Sequence, residues 1–334
     1  MNITSAYSKA GAYKRYIGIV QSIRTYLNEN NYLELDLPVL SPALIPEAYL
    51  EVFKTKFKYM GIQNDLFLTP SPELFIKRLL VEGIGDCYYL GKSFRNSEPH
   101  SPRHEPEFTM LEWYKMGKDY TYMAACVLRL LQHIAKTLNN NSLSISYQGT
   151  SLSLEKWERL TVAEAFETYA KIDPEILYHE KAFMKGAQKK GYVTESFTYE
   201  DIWSQMYTQE IEPHMGMHGF PTLLYDYPMQ FSALSKLNPD GKTAQRFEFY
   251  IAGLELGNCY SELTDPLLQK DRFQQEAKKR EISGKISHPI DWGFIESLKH
   301  GMPDCTGVAI GIERIGMIFT DAPRIRDIRL ITFS

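Results

Sequence analysis

The chain has 334 residues, 44% hydrophobic and 13% aromatic, enough for one large domain with a sizeable core or two modest ones, and a globular enzyme is the default expectation. Its formal net charge of −4 offers no polycationic surface for tight tRNA or DNA binding, and the basic triplet Lys278, Lys279, Arg280 reads as a solvated helix face. Cys87, Cys126, Cys259 and Cys305 are scattered without a CxxC pair, and no apolar run approaches the ~20 residues of a membrane span; a reduced, cytoplasmic protein without disulfides, zinc or membrane contact is expected.

Tyr16, Ile19, Val20, Ile23 and Leu27 recur at helical spacing, and Asn28 to Asn31 end that helix before a strand at Tyr32 to Leu35 and a proline, Pro38. Phe53, Thr55, Phe57 and Tyr59 then alternate with Lys54, Lys56 and Lys58 as in a half-exposed strand. The lysines read as its solvated face, the other reading being a docking edge for RNA or protein. Phe67 to Thr69 run into Pro70-Ser71-Pro72-Glu73 and a helix over Leu74 to Glu82, with Pro72 and Glu73 suited to a helix start.

The stretch Phe94 to Tyr114, FRNSEPHSPRHEPEFTMLEWY, concentrates anion-binding, stacking and carboxylate chemistry. Phe94 and Arg95 end an apolar run, a loop rich in Pro and Ser follows, and a strand begins at Glu107. Alternation puts Phe108, Met110, Glu112 and Tyr114 on one face, and Thr109, Leu111 and Trp113 on the other. A buried carboxylate is costly unless paired, so Glu112 and Tyr114 in one layer with Phe108 point to a binding face; a charged hairpin with surface ion pairs is the competing reading. Arg95, Arg103 and His104 add groups that bind phosphate or carboxylate oxygens, or stack on a base.

From Tyr120 to about His214 the pattern is mostly helical, and strands return at Thr222 to Tyr227 and Arg246 to Tyr260. A turn at Ala252-Gly253 sets Tyr250 opposite Glu255 and Glu248 diagonal on the same face, so two carboxylates converge; a hard cation such as Mg2+ on a nucleotide phosphate relieves their repulsion, the alternative being exposed glutamates on an edge hairpin. Asn258 and Glu262 have the opposite parity to Glu255, and a bulge near Gly257 would bring them round. Helices follow at Asp265 to Arg280 and Asp291 to Lys299, then GMPDCTGVAIGIERIGMIF from Gly301 to Phe319, a small-residue strand and an apolar helix opening at Glu313-Arg314.

RHEPEFTMLEWY at Arg103 to Tyr114 resembles motif 2 of class II aminoacyl-tRNA synthetases, in the version of the lysyl-tRNA synthetases and their short paralogues that attach (R)-β-lysine to elongation factor P. In that light the helix, strand and Pro38 resemble motif 1, which implies a homodimer, and Gly301 to Phe319 resembles motif 3. The resemblance covers nearly the whole chain. It implies an α+β fold, a mainly antiparallel sheet flanked by helices, as a single catalytic domain over residues 1–334 with an insertion at about 120–215 and no anticodon-binding domain.

The family's chemistry implies ATP and Mg2+, with Arg95 and Arg314 as catalytic arginines that neutralise charge while the substrate carboxylate attacks the α-phosphorus. By the same resemblance Arg103 meets the γ-phosphate, His104 and Phe108 meet adenine, and Glu248 and Glu255 hold Mg2+. Glu73, Glu112, Tyr114, Asn258 and Glu262 take the amino acid. Ser97 stands where lysyl-tRNA synthetases have a Glu, with Glu98 taking its place near adenine, and Cys259 stands where Gly is usual, either narrowing the pocket or packing behind it. Glu73, Glu112 and Glu262 match a substrate with two ammonium groups, (R)-β-lysine or lysine. Ala309, where the lysyl enzymes have Gly and the β-lysine ligases Ala, biases that choice. An ATP-dependent ligase acting on elongation factor P is therefore expected. A lysyl-tRNA synthetase-like enzyme charging RNA and a non-catalytic amino-acid sensor are the alternatives, tRNA being disfavoured because the motif 1 helix starts almost at Met1.

Overall fold

The computed structural model describes residues 2–97, 101–232 and 234–333. The chain divides into two compact units, residues 1–118 with 262–334, and residues 119–261. Both join largely antiparallel strands to helices, as an α+β fold requires.

In the first unit the strands run side by side in the order Cys305–Gly311, Glu107–Met116, Cys87–Phe94, Leu33–Glu34. The first two pairings are antiparallel and the last is parallel. Register fixes which side chains share a face. Gly307, Tyr114 and Cys87 form one row, Ala309, Glu112 and Tyr89 the next, and Gly311, Met110 and Gly91 the third. Small residues on the 305–311 strand thus flank the large side chains of the 107–116 strand, and Tyr114 and Glu262 take up the space over Gly307. On the opposite face Val308, Leu111 and Trp113 are buried. Helices Ala10–Glu29 and Ile312–Thr320 pack on each other, and the second lies against the Glu107–Met116 strand. The spacing read from the sequence is the one that buries Tyr16, Ile19, Ile23 and Leu27.

Two expectations for this unit need correction. The hairpin Phe53–Tyr59 with Ile62–Leu68 has no covered face along most of its length, and Phe57 and Tyr59 are 51% and 59% exposed. Its partner strand sets polar Gln63, Asn64 and Asp65 opposite Lys58, Phe57 and Lys56, so the period-2 pattern on one strand has no apolar counterpart. The triplet at 278–280 is not uniformly solvated either. Arg280 is 3% exposed, its guanidinium binding the carbonyls of Glu47, Leu50 and Ile286 and the Glu51 carboxylate. It ties helix Pro266–Ile282 to the loop that carries Glu47.

The second unit orders its strands Glu158–Thr161, Thr222–Pro228, Thr243–Ile251, Leu254–Ser261. Ala252 and Gly253 both adopt left-handed φ, 50° and 70°, the two-residue turn whose twist matches an antiparallel hairpin. Helices Tyr120–Leu138, Glu180–Lys189 and Tyr199–Met206 belong to this unit, and its core gathers Phe166, Phe183, Trp203, Tyr207, Tyr227 and Tyr250. Between the helices, Ser144–Tyr147 and Thr150–Ser153 form a small hairpin absent from the helical reading of 120–214. Ile145 and Tyr147 are buried while Ser144 and Ser146 are exposed, a period-2 alternation too short to stand out from the helical segments around it.

Candidate active site

In the first unit, helix Glu73–Val81 starts directly after Pro72, and its first and fifth residues, Glu73 and Lys77, lie one turn apart. Lys77 is 1% exposed and forms ion pairs with Glu73 and, at 2.5 Å, with Glu262. Glu112, 2% exposed, accepts hydrogen bonds from the Ser71 and Tyr114 hydroxyls, each at 2.7 Å. Gly307 has no side chain because none fits: a Cβ there would come within 2.5 Å of Tyr114 and 2.6 Å of Glu262. Ala309 sits directly opposite Glu112. The expected residues Glu73, Glu112, Tyr114, Glu262 and Ala309 therefore converge.

Electrostatically this is a crowded acidic site. Burial and repulsion from Glu73 push the Glu112 carboxyl up to about 8. Burial also lifts Glu262 to about 8, against the pull of Lys77 and with further repulsion from Glu73 and Glu112. Burial alone favours a neutral Lys77, but Glu262 and Glu73 outweigh it and hold the ammonium charged. Glu47 approaches from the loop pinned by Arg280; burial and Glu73 raise its carboxyl, and Arg95 opposes the rise. A concavity lined by Ser41, Glu47, Thr69, Ser71 and Glu73 opens beside the cluster.

The basic groups lie further along the same unit. The Arg95 guanidinium stands 5.3 Å from the centre of the Phe108 ring, and its Nε is buried without a hydrogen-bond partner among the described residues. Arg314, in the first turn of helix Ile312–Thr320, donates to His104 Nε2 at 3.0 Å, while His104 Nδ1 lies 2.6 Å from Ser101 Oγ. An arginine can only donate, so His104 is neutral with its proton on Nδ1, donating to Ser101. Thr109 donates its backbone N–H to both oxygens of Glu313 at 2.9 Å, and Arg329 adds a third bond at 3.1 Å, which fixes the start of this helix on the Glu107–Met116 strand. Arg103 is exposed. Glu98, expected near adenine, lies outside the described residues.

In the second unit Glu248 pairs with Asn258 across the hairpin and Tyr250 with Glu255; between them the register slips, leaving Leu256 as the extra residue. This is the irregularity that the family resemblance required against strict alternation, one residue from Gly257, and it returns Asn258 to the face of Glu248 and Glu255. Cys259, opposite Phe247 and fully buried, faces the other way and packs behind the sheet. Glu248 receives bonds from Arg246 at 2.8 Å, Tyr250 at 2.5 Å and Tyr207 at 3.3 Å, and Arg246 reaches Asn258 at 3.0 Å. Burial and the charge of Glu248 raise the Tyr207, Tyr227 and Tyr250 hydroxyls well above their usual range. Among the described residues no group of three or more His, Cys, Asp or Glu could hold a metal ion. Glu248 and Glu255 share one face of this hairpin, and Mg2+ commonly takes one or two protein carboxylates and fills its octahedron from substrate and water oxygens.

Sequence reasoning missed Lys77, Ser71, Glu47 and Arg246. Lys77 had a usable signal, its i+4 spacing from Glu73, and Arg246 lies two residues from Glu248 on one strand face. Glu47 had none, because a loop residue 26 positions before Glu73 comes near it through long-range tethers from Glu276, Arg280 and Lys285.

The family model for class II tRNA synthetases (D, K and N) matches residues 11–333. The elongation factor P--(R)-beta-lysine ligase of Yersinia enterocolitica is 36% identical over 317 residues, covering 93% of this chain and 91% of its own length. The lysine--tRNA ligase of Moorella thermoacetica is also 36% identical over 317 residues, and that of Staphylococcus epidermidis 33% over 318. The chain spans about 63% of the length of these two tRNA ligases. No described helix is long and apolar enough to cross a membrane.

Proposed function

Because the chain belongs to the class II tRNA synthetase family (D, K and N), we propose that it is an ATP-dependent aminoacyl ligase. It activates (R)-β-lysine or lysine as the adenylate and transfers it to a lysine side chain of elongation factor P. The observation that carries the substrate class is the buried cluster of Glu73, Glu112 and Glu262 around one lysine, Lys77. With every group ionised it carries a surplus of two negative charges, and a neutral or acidic amino acid would leave buried carboxylates uncompensated. A diammonium amino acid supplies the two missing charges. Similarity to the Yersinia ligase over nearly both whole chains, and Ala309 opposite Glu112, favour the β-lysine and protein-acceptor assignment.

The substrate carboxylate is already an anion, so its oxygen attacks the α-phosphorus without a protein base; a P–O bond forms as the bond to pyrophosphate breaks. Arg95 receives the substrate carboxylate and α-phosphate, and its unpartnered Nε supplies a donor for that task. Arg314 pairs with the outgoing phosphates from its helix start, held in place by neutral His104, and Arg103 reaches the γ-phosphate. His104, Phe108 and Glu98 serve the adenine. Glu248 and Glu255 are assigned to Mg2+, which, when bound, offsets phosphate charge. Asn258 and Tyr114 complete the amino-acid contacts. Transfer follows when an acceptor amine attacks the acyl carbon and AMP leaves. We assign both units to one catalytic domain, with residues 120–215 as an insertion, and helix Ala10–Glu29 with the following strand to a homodimer interface.

ATP–pyrophosphate exchange with α-lysine and (R)-β-lysine in parallel, without tRNA, tests the reading. Exchange followed by labelling of elongation factor P is expected. Absence of exchange with both amino acids refutes it, and AMP release that requires tRNA moves the assignment to RNA charging.

A further inference from the structure

Lys77 has no place in the chemistry above, yet it is the cation at the centre of the acidic cluster. It is 1% exposed and touches two of the three carboxylates at once, Glu73 one helical turn before it and Glu262 at the start of the segment after the second unit. Glu112 is held separately, by the hydroxyls of Ser71 and Tyr114. We propose that Lys77 is a positioning residue that sets the charge of the amino-acid pocket: by neutralising one carboxylate equivalent between Glu73 and Glu262, it makes the pocket require two ammonium groups and no more. The proposal rests on the reading of the pocket as the amino-acid site and adds how that site counts charge.

Without a substrate, the surplus charge is met by protons. Glu112 and Glu262 titrate near 8, so around neutral pH both largely carry protons that a diammonium substrate must displace. Binding therefore releases protons and tightens as pH rises through about 8, until the substrate's own ammonium groups begin to titrate. Of the other ionisable groups facing the cluster, Cys87 and Tyr89 stay protonated through this window, and Glu47 is raised in the same direction as Glu112 and Glu262. Burial and nearby carboxylates raise Cys87 to about 12 and lift Tyr89 above its usual range, and Tyr114 donates to Glu112 as a phenol. Glu47 is raised by burial and by Glu73, and Arg95 stands on its other side. Removing Lys77 leaves three carboxylates in mutual repulsion, so the proton displacement shifts to higher pH.

The test is the pH dependence of amino-acid binding, measured by calorimetry in buffers of different ionisation enthalpy and by the KM for pyrophosphate exchange. Four proteins are compared: wild type, Lys77→Met, Lys77→Arg and the charge-balanced pair Lys77→Met with Glu73→Gln. For Lys77→Met the midpoint is expected to move up by about one pH unit and KM at pH 7 to rise about tenfold, with kcat within severalfold of wild type. Lys77→Arg keeps the wild-type midpoint. The double variant recovers the midpoint because it removes a carboxylate together with the cation, whereas a purely structural role for Lys77 predicts a double variant no better than the single one. Should Lys77→Met fail to fold, the double variant and Lys77→Arg decide alone. Wild-type binding of a diammonium amino acid, with a midpoint unmoved in Lys77→Met or unrecovered in the double variant, overturns the charge-setting role. A wild type that binds neither lysine nor (R)-β-lysine overturns the pocket's assignment, and this inference with it.

Discussion

Substituting Gly307 by Ala adds one methyl group between Tyr114 and Glu262. Its Cβ would lie 2.5 Å from Tyr114 Cε1 and 2.6 Å from Glu262 Oε1, against an ordinary contact of roughly 3.5 to 4 Å, so each neighbour must move by about 1 Å. Neither can do so cheaply. Tyr114 is 2% exposed and donates to Glu112 at 2.7 Å, and Glu262 is fully buried and paired with Lys77. Overpacking costs about 1 to 3 kcal/mol, and leaving the buried Glu112 carboxyl without its Tyr114 partner adds roughly 1 to 3. Urea denaturation should therefore show a loss on the order of 2 to 6 kcal/mol, and the KM for the amino acid should rise at least tenfold while that for ATP stays within about threefold. Gly311→Ala is the control, since nothing lies within 4 Å of its added Cβ, and its effect on stability should stay within about 1 kcal/mol. A Gly307→Ala protein of wild-type stability and unchanged amino-acid KM refutes the packing argument and the placement of Tyr114 and Glu262 around the substrate.

Ala309→Gly removes the methyl opposite Glu112 and is expected to shift the ratio of exchange rates towards α-lysine by about 1 to 3 kcal/mol, read from kcat/KM for the two amino acids. Arg314→Ala should lower kcat/KM for ATP by roughly 100- to 1,000-fold, and His104→Ala, which removes only the group Arg314 leans on, by much less. The folded-state carboxyls of Glu112 and Glu262 lie above their ordinary value, so the folded protein binds the extra protons. That contribution to stability is complete below about pH 4.5 and is lost as pH rises through about 8. The Tm of ligand-free wild type is expected to fall more steeply between pH 5.5 and 8 than that of Glu262→Gln; parallel curves would contradict the shift.

What could be read beforehand followed from short-range periodicity. Alternation alone put Glu112 and Tyr114 on one face, and the register with Ala309 and Gly307 confirms that face. Parity showed that no regular strand can turn Glu255 and Asn258 to the same side; the family resemblance required that they share one, and the slip at Leu256 meets that requirement. Contacts over long separations were not legible. Arg280 looked like part of a solvated triplet because its carbonyl partners at 47 and 50 are more than 200 positions away. The 53–59 strand misled for a related reason, since one strand's alternation says nothing about whether its partner brings an apolar face. Lys77 was missed for another reason: a lysine on a helix is usually solvated, and only the burial of Glu73 and Glu262 turns its i+4 position into the centre of the pocket.

Within the first unit the Glu73, Glu112 and Glu262 cluster stands apart from the Arg95 and Arg314 guanidinium groups, and on the proposed assignment that separation would orient the substrate. Carboxylates gather around Lys77, guanidinium groups stand at Arg95 and at the start of the 312–320 helix, and Glu47 interacts with both Glu73 and Arg95. An amino acid with a carboxylate at one end and ammonium groups along its length fits such a field in one direction only, with its carboxylate towards the arginines. (R)-β-lysine and lysine carry the same charges and differ in where one ammonium sits, by a single carbon along the chain. Charge therefore admits both, and discrimination falls to shape at the row where Ala309 faces Glu112. One methyl there gives tens-fold rather than absolute selectivity, so α-lysine is expected to be a poor substrate and not an excluded one.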